Sequence, residues 1–273
     1  MNMHLIIKRT LLCGISGFGW MGLFRLSNYL LTYYSKTKGW KISQHHIMNI
    51  CEAIVSGIQA IVSSVCGIIV VTSCRHDVMW AVHPLASWYA WVAGSYFVYD
   101  TFAMYQVHLS SLPKVPESFM ARFSSYIKRR TLLVIHHVVV AAFLFPVSVY
   151  RSGIGDFFVG CFYCVELSGP FTNMRIILSR TGLKETRWYV LNGVTMIISF
   201  AICRVLVFPY MYLAYGAQYN IGILDVVRKI PLYCNVGSLM VLLPQIHWLR
   251  LMFLGAVKMS RGKSISEAEE KID

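Results

Sequence analysis

Runs of about twenty predominantly apolar residues recur along this chain; in the clearest, 47–73, Glu52 is the only acidic or basic side chain. A helical run of that length matches the hydrocarbon thickness of a bilayer, about 30 Å at 1.5 Å per residue. A soluble core makes no such demand. Composition agrees, because 56% of the residues are hydrophobic and 14% charged, with a mean hydropathy of +0.56, against about 25% charged in a soluble domain. The predicted fold class is all-α, a polytopic membrane helix bundle of about seven transmembrane helices. A water-soluble globule is excluded.

The seven predicted spans lie at about 10–33, 47–73, 79–106, 131–150, 154–178, 188–215 and 230–257. Glu166, Pro170 and Arg175 interrupt the fifth, which is expected to be broken or re-entrant; without it six spans remain. The formal charge of +13 reads as loops facing anionic lipid, and no nucleic-acid partner is expected. With seven spans, Lys8, Arg9, Arg75, Arg151, Arg228 and Lys229 fall on one side and sixteen Lys/Arg on the other, while Arg25, Arg204 and Arg250 lie within spans. The richer side is cytoplasmic by the positive-inside rule, which places the N-terminus in the lumen and the C-terminus in the cytoplasm. The chain divides into an N-terminal anchor helix and loop at 1–39, a transmembrane domain at 40–257 and a short polar tail at 258–273, expected to be disordered.

Eight cysteines are scattered through the apolar runs, so no disulfide framework is expected, and Cys161 and Cys164 read as small packing residues. There is no Asn-x-Ser/Thr sequon. The first apolar segment follows Lys8 and Arg9 as a signal peptide would, but it continues without an Ala-x-Ala-like site and reads as an anchor.

An ionisable side chain in the middle of a span costs about 2.5–3.5 kcal/mol on insertion scales, so each must be paired, solvated in a cavity or functional. Eleven qualify: Arg25, Glu52, Asp100, His136, His137, Asp156, Glu166, Arg175, Arg204, His247 and Arg250. Together they predict a polar interior; singly, each can also be an interhelical hydrogen bond or ion pair. His136 and His137 adjoin in an apolar run and point about 100° apart on a helix, so at most one projects straight into a central cavity while the other orients it or bonds a neighbouring helix. An imidazole there can act as general base, proton shuttle or acyl acceptor. The remaining histidines make no repeated ligand spacing, so no metal site is assigned. Tyr96 sits one turn before Asp100, whose carboxylate can fix a histidine tautomer or pair with Arg204. Pro170 removes the helical hydrogen bond to the carbonyl of Glu166, which predicts a kink lining a polar cavity.

The stretch Tyr96 to Asp100, the run Leu133, Val134, Ile135, His136, His137, and the run Glu166 to Asn173 (Glu-Leu-Ser-Gly-Pro-Phe-Thr-Asn) occur in the order seen in the TLC-domain family, which includes ceramide synthases and the translocating-chain-associated membrane protein. The segments Cys203 to Pro209 and Tyr233 to Val236 resemble most the subgroup called TLC domain-containing protein 3, and the resemblance spans roughly residues 40 to 257. It implies an endoplasmic-reticulum lipid enzyme or regulator whose helices surround a lipid-sized cavity. In ceramide synthases the paired histidines are required to move an acyl group from acyl-CoA to a sphingoid base; the matching residues here are His136 and His137, with Asp100 and Glu166 supporting. The acidic motif of those enzymes is replaced here by Cys161 to Val165, so of that stretch only Glu166 carries over. Lys128, Arg129 and Arg130 stand about 9 Å before His136 along the same predicted helix, where phosphates of acyl-CoA would approach; they also satisfy the positive-inside rule. Tyr96 and Arg204 complete the candidate substrate-binding set. The expected co-substrate is acyl-CoA, no resident cofactor is expected, and the alternative reading is a non-enzymatic lipid-sensing or cargo-binding membrane protein.

Overall fold

The computed structural model describes residues 3–40, 42–151 and 153–260. Among them every regular element is helical. α1 (Met3–Thr37), α2 (Gln44–Cys74) and α3 (Pro84–Ser111) are long and mutually packed. α4 (Phe119–Arg129) is short, and α5 (Thr131–Val139) runs through a π turn, Val140–Leu144, into α6 (Phe145–Tyr150). α7 (Asp156–Cys164) passes through a 3-10 turn, Val165–Ser168, into α8 (Gly169–Arg180). α9 (Arg187–Phe200) passes through a second π turn, Ala201–Leu206, into α10 (Val207–Tyr219), and α11 (Ile223–Lys229) precedes α12 (Leu232–Ser260).

Among the described residues, three helices are long and apolar enough to cross a membrane: Gln44–Cys74, Arg187–Tyr219 and Leu232–Met259. The seven predicted spans therefore resolve into three that meet both conditions and four that do not. α1 and α3 have the length but less apolar character, the run at 154–178 is divided by the 3-10 turn, and Thr131–Ala142 is a shorter apolar helix. The expected break at Glu166 occurs, and its physical reason is visible. Pro170 offers the Glu166 carbonyl no N–H, and the turn tightens so that the Gly169 N–H donates to it instead. Of the tail expected to be disordered, 258–273, the first three residues end α12 as helix, and the rest lies outside the described residues, as does Lys41.

α2 is the hub. Its small residues let α7 and α8 approach closely: a Cβ on Gly67 would lie 2.7 Å from the backbone nitrogen of Cys164, and one on Gly169 would lie 2.6 Å from Ala60 Cβ. A core of Val70, Tyr89, Phe157, Tyr163 and Phe208 joins α2, α3, α7 and α10, and a second core of Phe24, Cys51, Val55, Tyr96 and Tyr99 joins α1, α2 and α3. All eight cysteines are free thiols. Outward faces are largely apolar, with Phe18, Val98 and Ile198 exposed.

Polar contacts close one end of the bundle. Asp77 accepts from the N–H groups of Met79 and Trp80, at 3.2 and 3.0 Å, and from Gln218 Nε2 at 2.8 Å; Gln218 Oε1 accepts the Val78 N–H at 2.6 Å. These bonds, that from Trp80 foremost, hold the Asp77 carboxyl below its ordinary range. Beside it the buried Asp156 pairs with Arg151 and accepts the His83 N–H at 2.7 Å. The opposite end gathers the C-terminus of α3, the N-terminus of α2 and α4, with His45 hydrogen-bonded to Ser110 at 3.0 Å and within electrostatic reach of Arg130 and Arg180.

Candidate functional site

Irregular backbone is tolerated inside a membrane where it is buried in protein or lines a cavity, and here the irregular segments adjoin. The 3-10 turn Val165–Ser168 packs on the π turn Ala201–Leu206, which packs on α12; α12 contacts α5, and α5 contacts α3. These elements carry most of the predicted site residues.

The first group joins α3 to α5. Tyr96 Oη donates to Asp100 Oδ1 at 3.0 Å, as the one-turn spacing predicted, and Asp100 Oδ2 stands 3.5 Å from His137 Nε2. Thr101 gives its hydroxyl proton to the Phe97 carbonyl at 2.8 Å, so its oxygen is left to accept from His137 Nδ1, 3.3 Å away. That network assigns the proton of a neutral His137 to Nδ1 and turns its Nε2 lone pair toward Asp100. One proton added between Nε2 and the carboxylate converts the contact into an ion pair. Phe97 packs edge-on against the ring at 5.5 Å. His137 is thus held on both nitrogens and buried.

His136 points elsewhere, as adjacent helical positions require. Its ring packs edge-on against Trp248 of α12 at 5.4 Å and lies 5.9 Å from that of His137. Among the described residues it has no hydrogen-bond partner, so of the pair it is the imidazole whose ring nitrogens no side chain engages.

The second group is an ion pair. Arg204 Nη2 donates to Glu166 Oε2 at 3.0 Å and Arg204 Nε donates to Ser168 Oγ at 2.8 Å, with the guanidinium 5.3 Å from the centroid of Phe200. Arg204 therefore pairs with Glu166, not with Asp100, which settles the alternative that the sequence left open. The two groups sit in one field: Glu166 acts electrostatically on Asp100 and Tyr96, and Arg204 acts on His136.

Lys128 and Arg129 do not join this interior. They are exposed on α4 beside a shallow groove lined by Ala121, Ser124 and Ser125. Arg130 lies at the joint of α4 and α5, on the same end of the bundle as Arg180. Three of the eleven ionisable residues assigned to the interior, Arg25, His247 and Arg250, are on outward faces instead. Helix α12 has polar residues on inward and outward sides alike and no amphipathic period, so no periodicity marks which of its faces turns inward.

Several contributors escaped sequence reasoning. Ser168 stood inside a quoted motif and Thr101 one residue beyond another, both without a role, and their one signal was nearness to Glu166 and Asp100. Trp248 carried none. Gln245, fully buried on the face of α12 between Val241 and Trp248, has neither amide atom hydrogen-bonded among the described residues.

No solved structure matches the chain. A family model does: the TLC domain (TRAM_LAG1_CLN8) matches residues 49–254, from the second turn of α2 to the last turns of α12, and so takes in every element of the site. The interior polar groups on apolar helices and this match together identify the chain as a membrane protein of the TLC-domain family, which includes ceramide synthases and other lipid-related membrane proteins.

Proposed function

We propose that this protein transfers an acyl group from acyl-CoA to the amine of a sphingoid base, in a seven-helix bundle of the endoplasmic reticulum, with the N-terminus lumenal and the C-terminus cytoplasmic. The observation that carries the proposal is the division of labour in the histidine pair: His137 is held by Asp100 and Thr101, while no side chain engages the ring nitrogens of His136. The resemblance of Cys203 to Pro209 to the TLC domain-containing protein 3 subgroup favours a role in ceramide metabolism.

In this reading the amine nitrogen attacks the thioester carbonyl, His136 takes the proton it loses, the C–N bond forms and the C–S bond breaks. The departing thiolate then takes the proton from His136. His137 and Asp100 are positioning residues: their shared proton site fixes the ring orientation next to the base. Tyr96, which donates to Asp100, holds that carboxylate. Arg204, anchored by Glu166 and Ser168, places a positive charge on the side of His136 where the carbonyl oxygen becomes anionic. Arg130 and Arg180 offer cations to the phosphates of CoA. Acyl-CoA is a co-substrate, and the reaction calls for no further cofactor.

One observation favours a second reading, a non-enzymatic lipid sensor. Glu166 and Arg204 satisfy each other, a self-contained pair that a scaffold needs as much as an enzyme does. Purified protein incubated with palmitoyl-CoA and sphinganine separates the two. N-palmitoyl-sphinganine detected by mass spectrometry, and absent with His136→Ala, supports the enzyme; its absence with intact protein leaves the sensor.

A further inference from the structure

The residues of α4 divide into three faces, and each face meets a different medium. Tyr126 marks the first. It is 1% exposed, its ring packs on Tyr105 at 5.6 Å and on His108 at 5.8 Å, and the neighbouring Ser125 shares a 3.2 Å hydrogen bond with His108. That face is bound to the end of α3. At 100° per residue, the two flanks beside it differ sharply. One carries Phe119 and Phe123, with Met120 next to them: 59%, 41% and 70% exposed, the two phenyl rings stacked at 5.9 Å. The other carries the groove of Ala121, Ser124 and Ser125 with Lys128, and Arg129 borders it.

The position of the helix gives these flanks their meaning. α4 follows the end of α3 and precedes the start of α5, so it lies where two helices of the bundle reach the same end. A helix at that level, docked sideways by one face, has its apolar flank toward acyl chains and its polar flank toward water and headgroups. Neither flank has a partner in the rest of the fold that would bury three large apolar side chains. Cations at this level attract anionic lipid by about 1 kcal/mol each, and the groove adds the exposed Ser124 hydroxyl, able to donate to phosphate or carboxylate oxygens, beside Ser125.

We infer that α4 is an interfacial helix that binds anionic phospholipid headgroups through Lys128, Arg129, Ser124 and Ser125 while Phe119, Met120 and Phe123 enter the acyl region. The occupant is the lipid of the surrounding bilayer, by charge complementarity. Lys128 and Arg129 thereby serve the membrane surface, and of the predicted basic cluster Arg130 alone remains for the phosphates of CoA. The proposal stands on the membrane assignment and on the packing of α4, independently of whether acyl transfer occurs.

Hydrogen exchange of the full chain in lipid nanodiscs tests it, read by mass spectrometry over the α4 amides. In phosphatidylserine-containing discs these amides should exchange at least about fivefold more slowly than in phosphatidylcholine discs, the effect of one cation at the surface. Lys128→Gln with Arg129→Gln should abolish the difference between lipids but keep the phosphatidylcholine rate. Phe119→Ser with Phe123→Ser should raise exchange in both. Equal rates in the two lipids for the unaltered protein, or a difference that survives loss of both cations, would overturn the proposal. So would protection produced by free CoA in phosphatidylcholine discs and not by phosphatidylserine, which would hand the groove to a soluble nucleotide.

Discussion

Removing one charge from the Glu166–Arg204 pair tests the interior most sharply in energetic terms. At 3.0 Å and an effective dielectric constant near 20, the pair carries about 5 kcal/mol of Coulomb attraction. Much of that offsets the desolvation of two ions, so the pair adds little net stability, yet either ion left alone is expensive. Glu166→Leu leaves the guanidinium with Ser168 Oγ and the face of Phe200. Arg204→Leu leaves a carboxylate. Single losses from buried pairs cost about 3–5 kcal/mol, and because the Glu166 side chain is 25% exposed and the Arg204 side chain 13%, the lower figure applies, about 3 kcal/mol each. The double variant removes both charges and should cost no more than either single, a coupling energy of at least about 3 kcal/mol in a double-mutant cycle. Thermal melting of the four purified proteins in one detergent reads this directly. A double variant that melts as low as the sum of the singles predicts would refute the pairing.

Three further outcomes follow from the same structure. Gly169→Ala places a Cβ 2.6 Å from Ala60 Cβ, which cannot move aside, so the variant should lose about 1–3 kcal/mol of stability, seen as lower abundance and melting temperature. The Asp77 carboxyl is held below its ordinary range, so its contribution is present above the unfolded carboxylate pKa, about 3.9, and is lost as pH falls through the folded value. Protection of the 75–83 loop amides, with exchange rates corrected for their intrinsic pH dependence, should therefore fall on acidification, and Asp77→Asn should show the weakly protected loop already at neutral pH. Epitope tags at the two ends should report opposite sides of the membrane, the C-terminal one cytosolic; tags on one side would remove the seven-span topology.

The class of the fold was legible in the sequence because bilayer thickness leaves an unmistakable run length. So was the break at Glu166, since proline chemistry is local. Tyr96 met Asp100 because one turn of helix guarantees it. The partner of Arg204 was not legible: Glu166 and Asp100 are both carboxylates at comparable depth, and only the packing of the 3-10 turn on the π turn decides between them. The π turns contain neither glycine nor proline, but Pro146 and Pro209 follow them and leave the carbonyls of Ala142 and Val205 without their helical N–H, a signal that sequence reasoning passed over. The closure of Asp77 on Gln218 joins residues far apart in sequence, beyond any local pattern. Exposed Arg25, His247 and Arg250 show the same limit from the other side, because a helix with no amphipathic period conceals which way it faces.

The division of labour between the histidines can be measured in one experiment: single-turnover acyl transfer from palmitoyl-CoA to sphinganine by His136→Ala, His137→Ala and Asp100→Asn at matched protein abundance, across pH. His136→Ala should form no product. His137→Ala and Asp100→Asn should retain slow transfer with a displaced pH–rate profile, since each changes the proton site beside the base and leaves the base in place. Loss of product in proportion to folded protein for all three, with the pH profile unmoved, would contradict a catalytic His136 and leave the pair as scaffold.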